Sequence, residues 1–123
     1  MRFSKQIILL MIMNLYITHA DGRNNQCGTQ QTVPFDNLIL NPNCFVQATY
    51  SFGNNAIIFC YTNLTQNAGQ IAWPYNGTIQ SGSLPIFLKT NPNFEGSFAD
   101  PNGQIVIEND QPTPLLISCD FGF

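Results

Sequence analysis

The chain has 123 residues, 44% of them hydrophobic and only 9% charged, with a formal net charge of −3. Four Lys and Arg residues in all cannot neutralise a row of phosphates, and affinity for nucleic acid rests on such cation–phosphate contacts and the counterions they release. Nucleic acid is therefore excluded as a partner, and so is electrostatic attachment to anionic lipid.

Residues 1–20 read as a secretory signal peptide. Arg2 and Lys5 form a basic start, Gln6 to Ile17 a mainly apolar middle, and Thr18-His19-Ala20 a small-residue cleavage site, with the cut before Asp21. The apolar run is interrupted by Asn14 and falls short of the roughly twenty residues a membrane span needs. Removing residues 1–20 leaves 103 residues, the size of one secreted domain, expected over 21–123. All three methionines and the single histidine, His19, leave with the signal. Arg23 and Lys89 then stand against Asp21, Asp36, Glu95, Asp100, Glu108, Asp110 and Asp120, so the net charge becomes −5.

Cys27, Cys44, Cys60 and Cys119 enter an oxidising compartment, and two disulfides are the natural reading. With no Cys-x-x-Cys pair and no histidine left, a zinc site is not expected, nor any other metal or cofactor.

Asp21 to Pro34 is polar and reads as irregular, and Phe35 to Leu40 as a first short strand ended by Asn41-Pro42. Cys44 to Phe52 shows clean alternation, with Cys44, Val46, Ala48, Tyr50 and Phe52 on one face. Gly53-Asn54-Asn55 supplies turn residues, and Ala56 to Tyr61 is a short apolar run that reads as a strand buried on both faces. These two strands are expected to form a hairpin. In its three-residue-loop register Cys44 lies about 14 Å along the ladder from the position facing Cys60, too far to bridge. Two connectivities remain: Cys27–Cys44 with Cys60–Cys119, which we prefer, or Cys27–Cys60 with Cys44–Cys119. The Cys60–Cys119 bond is expected to cross the core.

Gln70 to Tyr75 reads as an edge strand, because Pro74 cannot donate to a ladder. Asn76-Gly77 is a turn, and the return over Thr78 to Gln80 is broken by Ser81-Gly82-Ser83. Pro85 to Thr90 is a further strand. Phe94 to Phe98 and Gln104 to Glu108 are expected to form a hairpin around Asp100-Pro101-Asn102-Gly103, and Leu115 to Phe121 alternates as a closing strand. Seven or eight short strands with regular turn signals and no helical periodicity after residue 20 predict an all-β, antiparallel β-sandwich.

From Cys44 to Cys119 the order of features resembles the small secreted nematode domains named for their six cysteines, whose function is not established. The matching features are the Cys44 strand, Ala56 to Tyr61, Asn76-Gly77, the Leu88 strand, Asn102-Gly103 and Ile117-Ser118-Cys119. Leu88-Lys89-Thr90 carries no cysteine where that family has one, and the total here is four. The resemblance implies no active site.

Catalysis is constrained by the missing histidine, which removes the imidazole base a serine or cysteine nucleophile needs. Paired carboxylates remain, Glu95 with Asp100 or Glu108 with Asp110, and such pairs hydrolyse glycosidic bonds; on strand edges they also discourage edge-to-edge association. Asp100 to Ile105 resembles the middle of a calcium loop, but that register puts Phe98 and Asn109 at the first and last ligand positions, and we read the stretch as a turn. Trp73 and Tyr75 share a face and are a possible platform for a sugar ring, against the plainer reading of Trp73 as core. Asn63-Leu64-Thr65 and Asn76-Gly77-Thr78 are N-glycosylation sequons. The leading expectation is a secreted, disulfide-tied binding or structural module without enzymatic activity, its partner an extracellular protein or glycan. A carbohydrate-binding module and a small glycosidase are the alternatives.

Overall fold

The computed structural model describes residues 25–26, 30–51, 56–64, 68–90 and 95–122. The expected signal peptide, Cys27, and the connection at Phe52 to Asn55 lie outside these residues. The described residues form eleven strand segments and no helix.

Eight of the segments carry most of the sequence pattern. They are β3 (Phe35–Leu40), β4 (Cys44–Ser51), β5 (Ile57–Thr62), β6 (Gln70–Tyr75), β7 (Thr78–Ser83), β8 (Ile86–Lys89), β10 (Asn102–Glu108) and β11 (Leu115–Gly122). Three two-residue pieces explain the excess over the expected seven or eight: β1 (Asn25–Gln26), β2 (Gln31–Thr32) and β9 (Ser97–Phe98). The first two lie in the stretch expected to be irregular, where β1 and β2 run parallel to β4.

One sheet has the order β1-β4-β10-β6-β7, with β2 also on β4, and the other β3-β11-β5-β8-β9. Both bury one face in a common core, where Leu40, Ile58 and Ile117 of the second sheet meet Val46, Ile105 and Ile107 of the first. The all-β, sandwich-like class matches the sequence. β4 shows why: its residues alternate strictly between buried and more exposed, as a strand with one covered face must.

Both expected hairpins around the longest turns are corrected. β4 pairs with β10, and β5 pairs with β11 and β8, so the two strands belong to different sheets. Likewise β9 pairs with β8 while β10 pairs with β4 and β6. Asn102-Gly103, read as turn residues, are the first residues of β10, opposite Ser51 and Tyr50. An extended segment cannot wrap oxygen ligands around an ion, so the calcium-loop reading falls with the turn. Ala56 to Tyr61 is corrected in the same way: Ile58 and Cys60 are buried, but Phe59 and Tyr61 stand on the outer face. There Phe59 stacks against Tyr61 and Phe87 with centroids 4.8 and 4.3 Å apart.

Cys60 and Cys119 are bonded, with no exposed surface on either. They are direct partners on neighbouring strands, Cα atoms 4.1 Å apart, so the bond staples the middle of one sheet and does not cross the core as expected. The Cys60–Cys119 bond of the preferred pairing is therefore present although the hairpin used to reach it is not, and the expected Cys27–Cys44 bond rests on a residue outside the described ones. Cys44 is also held in a disulfide.

One end of the sandwich is organised by Asn109, 1% exposed. Its side-chain N–H groups donate to Leu40 O at 2.8 Å and Thr113 O at 2.9 Å, and its Oδ1 accepts from Gln111 N–H at 2.7 Å. Its backbone donates to Cys44 O and accepts from Asn43 N–H. One residue thus joins the end of β3, the start of β4 and the crossing from β10 to β11. Replacing Asn109 with Ala strands the buried Leu40 carbonyl, at about 1–3 kcal/mol, and also removes the part-buried bonds to Thr113 and Gln111. The Asn109→Ala variant is expected to lose roughly 3 kcal/mol in urea unfolding, with an unchanged slope. A loss below about 0.5 kcal/mol, typical of surface changes, would remove Asn109 from this role.

Candidate functional site

The β6–β7 hairpin is the local element on which the site is built. Tyr75 pairs with Thr78 across a two-residue turn, and both Asn76 (φ 51°) and Gly77 (φ 80°) have positive φ. That is the type I′ geometry Asn-Gly favours, because it matches strand twist. The Thr78 hydroxyl donates to Tyr75 O at 2.8 Å.

The hairpin is locked to the segment that crosses between sheets after β9. Asn76 N–H donates to Asp100 Oδ1 at 2.9 Å, and Asp100 N–H to Pro74 O at 3.0 Å. Tyr50 donates its hydroxyl to Asp100 O at 2.8 Å, and the Trp73 indole N–H donates to Phe98 O at 2.7 Å. Gly103 makes room beneath this lock: a Cβ there would come within 2.8 Å of Pro74 Cγ. β6 is consequently not an edge strand. It pairs with β10 over Gln70 to Ala72 and with β7 along its length. Pro74 stands beyond the β10 ladder, where its missing N–H costs nothing.

The expected break at Ser81-Gly82-Ser83 is also corrected, since β7 continues to Ser83. A Cβ at Gly82 would come within 3.0 Å of Ile86 Cδ1 of the opposite sheet, with the Trp73 ring at ordinary contact distance, 3.5 Å, beside it. Glycine inside a strand marks close approach here.

Between β7, at the edge of one sheet, and β9, at the edge of the other, lies a cleft of about 340 Å³. Its walls are Trp73, Tyr75, Gln80, Ser81, Gly96, Ser97 and Phe98. The Tyr75 and Phe98 rings are tilted at 40° with centroids 5.9 Å apart. Trp73 is 4% exposed and its indole N–H is satisfied inside, so it is a core residue forming the back of the cleft and not a stacking platform. Tyr75 remains at the site, and Phe98, Gln80 and Ser97 join it. Sequence reasoning missed these three because nothing local brings the β9 segment to the β7 edge.

The carboxylates lie elsewhere. Among the described residues none lines the cleft. Asp100 is committed to the Asn76 N–H, and Asp110 accepts from Gln70 Nε2 at 3.2 Å and Gln111 Nε2 at 3.0 Å. Glu108, paired in register with Phe45 and Gln70, closes the far end of β10 from Asp100, and Glu95 is exposed before β9. Among the described residues no three His, Cys, Asp or Glu side chains gather as a metal site. Of the sequons, Asn76 is exposed at the hairpin tip, and Asn63 is exposed with its Oδ1 accepting from Leu116 N–H at 3.1 Å. Thr65 lies outside the described residues.

No family model, curated protein or solved structure matches the chain.

Burial, and after it the Asp100 charge, holds the Tyr50 phenol well above its ordinary value of 10.0. The neutral donor is favoured by folding, so its contribution is fully present below about pH 10 and is lost as pH rises toward the raised folded value. Titration at 295 nm is expected to show Tyr50 ionising only together with alkaline unfolding. Tyr50→Phe should flatten the fall of stability above pH 10 by up to about 1.4 kcal/mol per pH unit. Ionisation of Tyr50 near pH 10 in the native protein would contradict the lock described above.

Proposed function

We propose that the chain is a secreted, non-enzymatic binding module whose recognition site is the cleft between β7 and β9. The observation that carries this reading is the lining: the Tyr75 and Phe98 rings set against Gln80, Ser81 and Ser97, with no charged side chain among them. A concave site with apolar walls and a few neutral polar groups recognises a neutral ligand by shape and hydrogen bonding. Its volume, at the lower end for ligand pockets, suits one ring or one side chain. Two further observations support binding over hydrolysis: the carboxylates stand outside the cleft, and those of Asp100 and Asp110 are engaged by donors of the chain itself. The buried disulfide agrees with an oxidising, extracellular setting.

A glycan is the second reading of the same cleft. Tyr75 and Phe98 take the place of Trp73 as the ring surfaces, and the amide and hydroxyls supply the hydrogen bonds. Glycosylation at Asn76 and Asn63 belongs to the same secreted reading, with a glycan on Asn76 standing at the tip of the hairpin.

Trp73, the only tryptophan, backs the cleft and reports on it. Titration of the mature protein with neutral glycans and neutral peptides, followed by tryptophan emission, is expected to find a ligand whose affinity is unchanged by salt, because no exposed ion pair contributes. Tyr75→Ala should weaken it by about ten-fold, in line with the loss of one ring contact of about 0.5–1.5 kcal/mol. Binding that collapses in salt, or that survives Tyr75→Ala undiminished, would place recognition elsewhere.

A further inference from the structure

The edges of the two sheets differ in a way that bears on what the cleft receives. Sheet edges are ready templates for another strand, and folded proteins blunt them with charges, prolines, bulges or short length. Three of the edges here are blunted. β1 and β2 are two-residue pieces, β9 is another, and β3 carries Asp36, a positive φ of 55° at Asn37, and a register shift against β11. The fourth edge, β7, has none of these devices. It is six residues long, reads Thr-Ile-Gln-Ser-Gly-Ser, holds no charge or proline, and is exposed from Thr78 to Ser81.

The direction of its unpaired groups follows from the turn. In a two-residue hairpin the flanking pair, Tyr75 and Thr78, exchanges hydrogen bonds, and bonded pairs then recur at every second position. Thr78, Gln80 and Gly82 therefore face β6. Two bonds outside the hairpin agree with this phase: Pro74 O, opposite Ile79, faces away from β7 to accept from Asp100 N–H, and Leu84 N–H donates to Gly69 O. Ile79, Ser81 and Ser83 consequently point their N–H and C=O groups outward. Among the described residues β7 pairs only with β6.

We propose that the cleft and this edge form one site, which binds an extended, uncharged peptide segment of a partner protein as an added strand on β7, with one bulky apolar or aromatic side chain in the cleft. This deepens the binding-module reading and rests on it. Along an added strand alternate side chains face the inner layer, and the inner layer beside β7 is where Tyr75 and Phe98 open the cleft. A second copy of this chain is the less suitable occupant. Paired through its own β7, it would turn Thr78, Gln80 or Gly82 toward the cleft, side chains that leave its aromatic walls unfilled. The backbone supplies affinity and the cleft selects the side chain.

The test uses the mature protein and a synthetic seven-residue peptide, Thr-Ser-Thr-Phe-Thr-Ser-Thr with blocked ends, beside its central Phe→Gly version and a version N-methylated at alternate backbone nitrogens. Tryptophan emission follows the cleft, and amide NMR shifts follow Ile79, Ser81 and Ser83. The proposal expects binding of the Phe peptide with shifts at those three amides, and weakening by about ten-fold or more on N-methylation or on Phe→Gly. Ile79→Pro removes one outward N–H while leaving the cleft lining and the β6 ladder in place, and should weaken binding by about ten-fold. Circular dichroism and an unchanged Trp73 emission show that this variant is folded. Peptide binding that ignores both N-methylation and Ile79→Pro overturns the added strand and leaves the cleft reading standing. Glycan binding that moves Trp73 emission, with no response to any peptide, overturns it in favour of a sugar ligand. If neither peptides nor glycans bind, both readings fall. Dimerisation lost on Ile79→Pro, without peptide binding, overturns it in favour of a second copy.

Discussion

The structure depends on the way Asn109 closes the ends of strands that the chain carries from one sheet to the other. The path runs from β3 to β4, from β4 to β5, from β5 to β6, from β7 to β8, from β9 to β10 and from β10 to β11, and each of those steps changes sheet. A chain that crosses so often finds the ladder partners of its long strands far away in sequence, and at each crossing it must satisfy backbone groups that no ladder supplies. At the β3, β4, β10 end a single buried carboxamide does this, with its two N–H groups and its oxygen all engaged. The Ser118 hydroxyl does the same on a smaller scale, accepting from Asn37 N–H at 2.9 Å where β3 leaves regular geometry.

The cleft is a product of this path. β6 and β7 form a consecutive hairpin, while β9 reaches the same region as the last, two-residue strand of the opposite sheet. Asp100 and Phe98 hold the two together through Asn76, Pro74 and Trp73. The back wall of the site is thus hydrogen-bonded to both sheets, and among the described residues β7 is paired on one side only. Burial of Trp73 removes it as a contact surface, and its indole N–H ties β6 to Phe98 of the opposite sheet.

Several features were legible because they are local. The alternation of β4, the Asn76-Gly77 turn and the apolar core of β5 all follow from side-chain period and backbone preference over a few residues, whereas the alternation expected of β11 is broken at the buried Ser118, where its register against β3 shifts. The expected hairpins between Cys44 and Tyr61 and between Phe94 and Glu108 failed because turn-forming residues mark where a chain bends, not which strand it bends toward. Gly82 misled in the same way: glycine signals both a break and a close approach, and only the position of Ile86 in the opposite sheet distinguishes them. Asn109 offered no signal, since its value lies in carbonyls contributed by Leu40 and Thr113.

The sequence by itself determined an all-β chain of short strands, few cations and a cysteine pair suited to joining strands, because composition and two-residue period act within a strand. Only the tertiary structure decided that Cys60 and Cys119 face each other within one sheet, that Trp73 is a wall and Phe98 its neighbour, and that among the described residues β7 is paired on one side only. Those outcomes depend on which strands pair across the core. Pairing is settled by the summed burial and hydrogen bonding of both sheets together, a quantity no single segment carries.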